Sequence, residues 1–584
     1  MTSDGIESPR ETAVAPLAVV PWRGWGEAAF AEAARDSRPI FLTLQTSWCA
    51  WCRRLETETF ADPRVVELLS EEIVPVRVDA ERYPHVRDRY IGAGWPTNAL
   101  LTPSGGVLWS GPFVEADALL TAARATLSAW RQSGPQLEAE LERRRAAIDS
   151  ARGRRAAGGM PRREAADDIL TYLQDDFDDR NGGFGGEPKY PPVAAVEFLY
   201  LQASRLGAPA FGDMADRTLD GMLAGAMRAP ETGAFHRYAL AEDWTRPSSE
   251  HLLGVNAELA RCYALGASYR GRADWAEAAE SAVGWVEDAL ARGDGLYGGS
   301  VAAPPLPGLA PAAPEGARGR PRDATAFADA NAAWARCLAD AGVALGRSDW
   351  IERAAATVER VAQEFGVEEG LPSHFLSEDG QSGVGERLLV DAAEVLAALT
   401  AVASAAGSGA LLRRAAEFAR VLGAGLWSDE GGFLEFTGDT RGPLGPPDRP
   451  FHENATAART LLALHALDGA RGWRTQAEVI LAFLSPVAAR YGIDGAAFAL
   501  ATDEFFEPAP LVVLREEADA GEQPGAAARG VPGVRIWRLT EDVELRQRAF
   551  AADGPPEAWV WGGGSWAGPF SAGDDLRRRL VAER

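Results

Sequence analysis

Two cysteines separated by two residues, Cys49 and Cys52, stand in the run Thr46-Ser47-Trp48-Cys49-Ala50-Trp51-Cys52. A pair at this spacing can cycle between dithiol and disulfide. The apolar run from Ile40 to Leu44 predicts a strand before it. Apolar residues at helical spacing from Leu55 to Leu69 predict a helix after it. A C-x-x-C between a strand and a helix is the local context of a thioredoxin-type redox site. The helix N-terminus lowers the pKa of the first thiol, so Cys49 is the expected attacking thiolate and Cys52 the resolving thiol. No second C-x-x-C follows, and His85 alone completes no tetrahedral site, so neither a metal nor another cofactor is expected.

The elements that would position this pair alternate between helix and strand over residues 20–132. Helices are expected from Gly26 to Arg35, from Glu56 to Ser70 with a break at Asp62-Pro63, and from Ala116 to Trp130. A strand is expected from Ile73 to Val78, and a hairpin around Pro103-Ser104-Gly105-Gly106. Residues 133–163 read as a linker segment, Arg/Glu/Ala-rich and then Gly-rich; its Arg/Glu part can be helical, and Arg152 to Pro161 is the linker proper. From 164 to 505 apolar helices recur between glycine-aromatic turns that begin at Gly182, Gly233, Gly295, Gly370, Gly431 and Gly495. Each interval holds two helices of ordinary length. Six helical hairpins can close into an (α/α)6 toroid, which is the expected fold of this region. Residues 506–584 read as a small α/β segment with strands at Leu511 to Leu514, Val534 to Trp537 and Ala558 to Trp561, and a loop from Pro524 to Gly533. The fold class is therefore multidomain: an α/β thioredoxin-like unit, an all-α toroid and a small α/β tail.

Composition narrows the partners. Of 584 residues, 59 are Lys or Arg and 84 are Asp or Glu, a formal net charge of −25. That balance argues against nucleic acid and against anionic membranes. No run of the length of a transmembrane helix is read, and no basic region precedes the apolar stretch Ala13 to Val20, so no signal peptide is expected. Four cysteines are too few for a disulfide scaffold. Cys262 and Cys337 fall in helical patterns and read as ordinary buried thiols. The cytoplasm is the expected compartment. Lys189 is the sole lysine in the chain.

Several motifs together resemble the spermatogenesis-associated protein 20 family, whose bacterial members are the YyaL-type thioredoxin domain proteins. They are Trp48-Cys49-Ala50-Trp51-Cys52, Glu56-Thr57-Glu58-Thr59-Phe60, Val76-Arg77-Val78-Asp79 with Tyr83-Pro84, and Gly94-Trp95-Pro96-Thr97. Asn181-Gly182-Gly183-Phe184-Gly185 with Pro188-Lys189-Tyr190-Pro191 continues the resemblance, as do Phe235-His236-Arg237-Tyr238 and Trp244-Thr245-Arg246-Pro247. The resemblance implies a thioredoxin-like domain joined to a six-hairpin-glycosidase-like barrel. It also implies that Trp95-Pro96-Thr97 forms a cis-proline loop beside the thiols, which adds Pro96 to the catalytic set. The chain departs from the family pattern at Ala50 and Arg53, which take the two histidine positions of C-H-W-C-H. Against the family's P-H-F-E-K-M-L-Y-D-N-A, Glu250, Asn256 and Ala257 match while the His and Asp do not, and its P-S-G-N-S is reduced to Asn454.

In the barrel, the candidate site residues are Lys189, Arg237, Trp244, Glu250, Asn256, Asp391, Glu453 and Asn454. His236, Tyr238, His251, His374 and His452 lie in or near the same turns. Glycoside hydrolysis needs two facing carboxylates, and epimerisation through an open chain needs an acid and a base. Three readings of the whole chain stay open. One is a thiol-disulfide oxidoreductase or redox sensor acting on protein thiols, with the barrel as a platform. The second is a carbohydrate-active epimerase or hydrolase with a regulatory thioredoxin unit, its barrel holding a sugar or other small molecule. The third is a non-catalytic binding protein.

Overall fold

A computed structural model of the chain describes residues 19–92, 94–153, 159–304, 320–377, 387–438, 444–515 and 524–582. It comprises two compact units, Met1–Ala146 and Ala147–Arg584.

The first unit runs α1 (Glu27–Asp36), β1 (Ile40–Gln45), α2 (Ala50–Arg54), α3 (Pro63–Glu71), β2 (Val74–Asp79), α4 (Pro84–Tyr90), β3 (Thr97–Leu101), β4 (Val107–Gly111) and α5 (Ala116–Gly153). The four strands form one sheet in the order β2-β1-β3-β4, with β1 and β2 parallel and the other pairs antiparallel. Strand β1 is central and buried on both faces, which explains its unbroken Ile-Phe-Leu-Thr-Leu run. The single helix expected after the cysteines is three pieces: α2, a π-helical stretch Leu55–Thr59, and α3. Asp62 separates the last two, because its carboxylate caps the Arg64 N–H at 2.8 Å and Pro63 can only begin a helix. Helix α5 continues past Trp130 with a kink at Ser133 and takes in the Arg/Glu-rich part of residues 133–163. The linker region at 152–161 lies partly outside the described residues. This order of elements is a thioredoxin-like fold.

The second unit is mostly helical. Its helices are α6 (Arg163–Asp175), α7 (Val193–Leu206), α8 (Pro209–Ala224), α9 (Leu253–Arg270), α10 (Ala273–Ala289), α11 (Ala328–Leu345), α12 (Ser348–Glu364), α13 (Leu389–Ala406), α14 (Gly409–Leu426), α15 (Phe451–Asp468), α16 (Arg471–Leu484) and α17 (Ala496–Phe506). Helices α7, α9, α11, α13, α15 and α17 each pack on the next, and α17 packs back on α7, so they close a ring. Helices α8, α10, α12, α14, α16 and α6 pack outside them in the same order. This is the (α/α)6 toroid.

The two rings differ in sequence for a physical reason. Outer helices such as α12 carry one apolar stripe, whereas inner helices are buried on most sides. Helix α13 is the extreme case: it is long and apolar enough to cross a membrane, contrary to the expectation of no such run, yet 72% of it is buried inside the unit. Five inner helices end at a glycine in the left-handed region, Gly207, Gly271, Gly346, Gly407 and Gly469, where the chain reverses toward the outer ring.

Four of the six expected glycine-aromatic turns are closed by β-bridges, Phe177 to Phe184, Arg228 to Phe235, Ala291 to Tyr297 and Trp427 to Phe433. The turn at Gly370 is closed by the Ser373 N–H donating to the Phe365 carbonyl at 2.9 Å. The sixth is not a turn: Ala496, Ala497 and Phe498 begin α17 after a 3-10 stretch, Ala488–Gly495. Three of the turns are clamped by a buried asparagine in the first turn of the following inner helix. The side-chain oxygens of Asn256, Asn331 and Asn454 accept from the N–H of Phe235, Tyr297 and Phe433 at 2.7, 2.8 and 2.7 Å. Their amides donate back to the carbonyls of the same three residues.

Two-residue strands β5 (His251–Leu252), β6 (Ser300–Val301), β7 (Arg322–Asp323), β8 (Ala326–Phe327) and β9 (Phe375–Leu376) tie the connections together. The C-terminal segment carries β10 (Leu511–Arg515), α18 (Pro524–Arg529), β11 (Arg535–Arg538), β12 (Val543–Leu545), β13 (Arg548–Phe550), β14 (Glu557–Gly562), β15 (Ser565–Phe570) and α19 (Gly573–Ala582). The three expected strands are β10, β11 and β14 of one sheet. The expected loop at Pro524 instead opens with α18, whose alanines favour helix. This segment is not independent of the toroid: Val513, Trp537 and Phe550 join the barrel core.

Asn331→Ala strands the amide and carbonyl of Tyr297 in the core. It should destabilise the chain by about 2 kcal/mol, read as a lower denaturant midpoint.

Candidate functional site

Cys49 lies at the end of the turn after β1 and is the N-cap of α2. The Cys52 N–H donates to its sulfur at 3.1 Å. The helix start thus directs an amide at the first thiol, the arrangement that favours a thiolate there. No disulfide joins the two cysteines, and both are buried. Burial, then the hydrogen bond and charge of Cys49, push the Cys52 thiol far up, so Cys52 holds its proton while Cys49 is reduced. The Trp95-Pro96 peptide is cis, and Pro96 leads directly into β3, the neighbour of β1. The Trp48 and Trp95 rings meet edge to face at 5.9 Å, while Trp51 stays exposed. Cys49, Cys52 and Pro96 therefore come from three segments at one end of the sheet.

The barrel candidates do not converge on one site. Lys189 is buried: its ammonium donates to the Asp178 carboxylate at 2.6 Å and to the Glu242 carbonyl at 2.9 Å, and stands 5.2 Å from the centre of the Trp244 ring. Trp244 is fully buried, and its indole N–H reaches the carbonyls of Asn181 and Gly182 at 3.2 Å. Gly183 and Gly225 are glycines because a Cβ at either would lie 2.4 Å from Trp244. These groups form a structural knot. Burial opposes ionisation of Asp178, but Lys189 and the donors of Asn181 and Arg180 hold its carboxyl down at about 2.

Arg237 and Glu250 pair at 2.8 Å, and the Arg237 guanidinium lies over Tyr238, which stacks on Tyr190. Asn256 and Asn454 are the turn clamps already described. Glu453 lies in the first turn of α15, half-buried. Asp391 is fully buried, 2.8 and 3.0 Å from His374 Nδ1 through its two oxygens, and burial pushes its carboxyl up to about 6. Asp329 completes a group of three with them, their ligand atoms within 4.8 Å of one another. Both aspartates lie in the first turns of inner helices, where helix dipoles favour an acid without any cation. His236 and His251 are in ring contact at 4.5 Å, and burial lowers both imidazoles, His251 to about 4.

The residues sequence reasoning missed lie on the barrel axis. A chamber of about 840 Å³ runs from Tyr190, Arg237 and His452 at the starts of the inner helices to Arg529, Val531 and Arg535 of the C-terminal segment. Charged side chains cross it. Arg261 pairs with Glu197 at 3.0 Å and Asp340 at 2.6 Å; Arg459 pairs with Glu504 at 3.0 Å and with Glu197. Arg336 joins Glu258 and, at 3.1 Å, Glu394; Arg535 enters from β11 to meet Glu504. Burial works against the Glu197 and Glu504 carboxylates, yet the arginines hold both below the usual range. At Glu394 burial wins and the carboxyl is raised. The available signal was a charged residue inside an otherwise apolar helical run, as in Leu259-Ala260-Arg261-Cys262-Tyr263.

Fold and site define a thioredoxin-like unit followed by an (α/α)6 toroid with an ion-paired axis. Residues 12–151 match the family model Thioredox_DsbH, described as a protein of unknown function, DUF255. The chain is similar, as its motifs indicated, to human spermatogenesis-associated protein 20, at 31% identity over 317 residues. That match covers 50% of this chain and 40% of the human protein. Uncharacterized protein B0495.5 of Caenorhabditis elegans is 28% identical over 263 residues, 42% of this chain and 36% of its own length. The chain thus matches less than half the length of these relatives. Among solved structures, cellobiose 2-epimerase from Bacillus thermoamylovorans B4167 aligns with a TM-score of 0.45 at 9% identity, over 54% of this chain and 85% of that one. Unsaturated glucuronyl hydrolase from Bacillus sp. GL1 aligns at 0.42 and 14%, over 58% and 93%.

The Asp178 pKa of about 2 lies below its ordinary 3.8, so the ion pair contributes stability that is present above about pH 4 and lost as pH falls toward 2. Lys189→Met leaves that carboxylate only the donors of Asn181 and Arg180 and should cost about 2 kcal/mol at pH 7. The deficit should shrink on acidification, measured by urea unfolding across a pH series.

Proposed function

We propose that the N-terminal unit is a thiol-disulfide oxidoreductase or redox sensor working through Cys49 and Cys52. The observation that carries the reading is the Cys52 N–H directed at the Cys49 sulfur, 3.1 Å away, at the first turn of α2. In the dithiol form the Cys49 thiolate attacks one sulfur of a partner disulfide. A Cys49–partner bond forms, the partner's S–S bond breaks, and its other sulfur leaves as a thiolate that takes a proton from solvent. Cys52 then gives up its proton and displaces the partner sulfur. The partner is fully reduced and the Cys49–Cys52 disulfide carries the two-electron oxidation. The burial of Cys52 holds its proton until this second step.

The test is equilibration in glutathione buffers of graded potential, followed by alkylation and mass spectrometry. A single two-electron transition confined to Cys49 and Cys52 is expected. Cys52→Ser should accumulate a mixed disulfide on Cys49, and Cys49→Ser should abolish exchange. If the pair stays reduced at every potential, the reading fails.

One observation favours a second role, for the toroid. Its axial chamber is lined by six arginines, Arg237, Arg261, Arg336, Arg459, Arg529 and Arg535, and six acids, Glu197, Glu258, Asp340, Glu394, Asp494 and Glu504. The wall is charge-balanced, which suits a neutral ligand rich in hydroxyls, such as a sugar, over an ion. Five of those carboxylates are engaged by arginine, which favours binding over a hydrolase's pair of opposed carboxyl groups. Calorimetry with a panel of mono- and disaccharides should find one that binds in the range of about 1 mM or tighter. A panel without a binder removes this role.

A further inference from the structure

The residue between Ala50 and Cys52 is a tryptophan with 44% of its surface exposed. Trp51 is not loose. Its ring meets Phe113 at 5.1 Å, and the Arg54 guanidinium lies over both rings, at 5.3 and 4.9 Å from their centres. Arg54 is in turn held by Glu58 at 2.9 Å. Phe113 packs against the core of the unit, so the platform is anchored from below. A second aromatic, Trp95, precedes Pro96 and abuts Trp48, the residue before Cys49. Both segments that frame the thiol therefore present tryptophan.

An exposed indole held in one orientation offers apolar contact area at little cost in side-chain entropy. The Arg54 guanidinium over the two rings is already paired with Glu58, so it gives little attraction for an acidic partner. What the surface can recognise is an apolar side chain.

We propose that Trp51 is a specificity-determining residue of the Cys49 exchange. It selects disulfides in polypeptide segments that carry an aromatic or large aliphatic side chain next to the cystine. The inference rests on the thiol-disulfide reading above and names its substrate class. The bond changes are those of that reading, with the peptide sulfur as the leaving thiolate.

The test uses the full chain, reduced, in stopped-flow exchange with two cystine peptides of equal charge. One has Phe and Leu beside the cystine, the other Ser and Gly. The apolar peptide should react about tenfold faster, the factor expected when one aromatic contact is made at the reacting complex. Trp51→Ala should bring the ratio of the two rates close to one, and Trp51→Phe should keep most of it. Far-ultraviolet circular dichroism and the glutathione-buffer transition confirm that each variant is folded and redox-competent. Equal rates in the parent protein, or a preference that survives Trp51→Ala, overturn the inference and leave the redox reading standing. Failure of Cys49 to react with either peptide overturns the redox reading itself.

Discussion

The closed ring of six inner helices is the constraint on which most of the chain depends. A helix in that ring has outer helices behind it and other inner helices on either side. Its one remaining face looks into the axis. Many polar groups on that face are buried, and they find partners within the protein. The ion pairs of Arg261, Arg336, Arg459 and Arg535 answer this need along the axis. The asparagine clamps answer it at the turns, and Lys189 with Asp178 does so beside Trp244. The C-terminal segment belongs to the same scheme, since its Arg535 supplies a cation for Glu504 and its Trp537 completes the core.

The thiol site obeys a different logic. It needs a strand end, a short helix and a proline loop from the neighbouring strand, all within the first unit. Its chemistry depends on where an amide points, a matter of a few bonds. Six of the eight barrel candidates named from motifs, Lys189, Arg237, Trp244, Glu250, Asn256 and Asn454, hold turns, knots or ion pairs in place. Motif residues in a repeat protein commonly maintain the repeat, because each copy meets the same packing problem.

What could be read in the chain was whatever is encoded over a few residues. The C-x-x-C in its strand-helix context, the hairpin at Gly105-Gly106 and the recurrence of glycine-aromatic turns are all local. Local preference gives way where neighbours in space override it. The turn expected at Gly495 is the start of α17, and an apolar run suited to a membrane is the inner helix α13. Asp391 and His374 were both legible as candidate polar groups, and only the fold brings them into contact.

The sequence by itself determined the thioredoxin-like order of elements, the C-x-x-C at the start of its helix, and five of the six glycine-aromatic turns. Each of these follows from periodicity, capping and turn chemistry, which act between residues close along the chain. The tertiary structure alone decided which charges face the axis and which partners neutralise them. Glu197 and Arg459 lie far apart in sequence, and an isolated helix gives either residue no reason to turn inward. Ring closure brings them together, and the cost of burying one charge alone makes the other necessary.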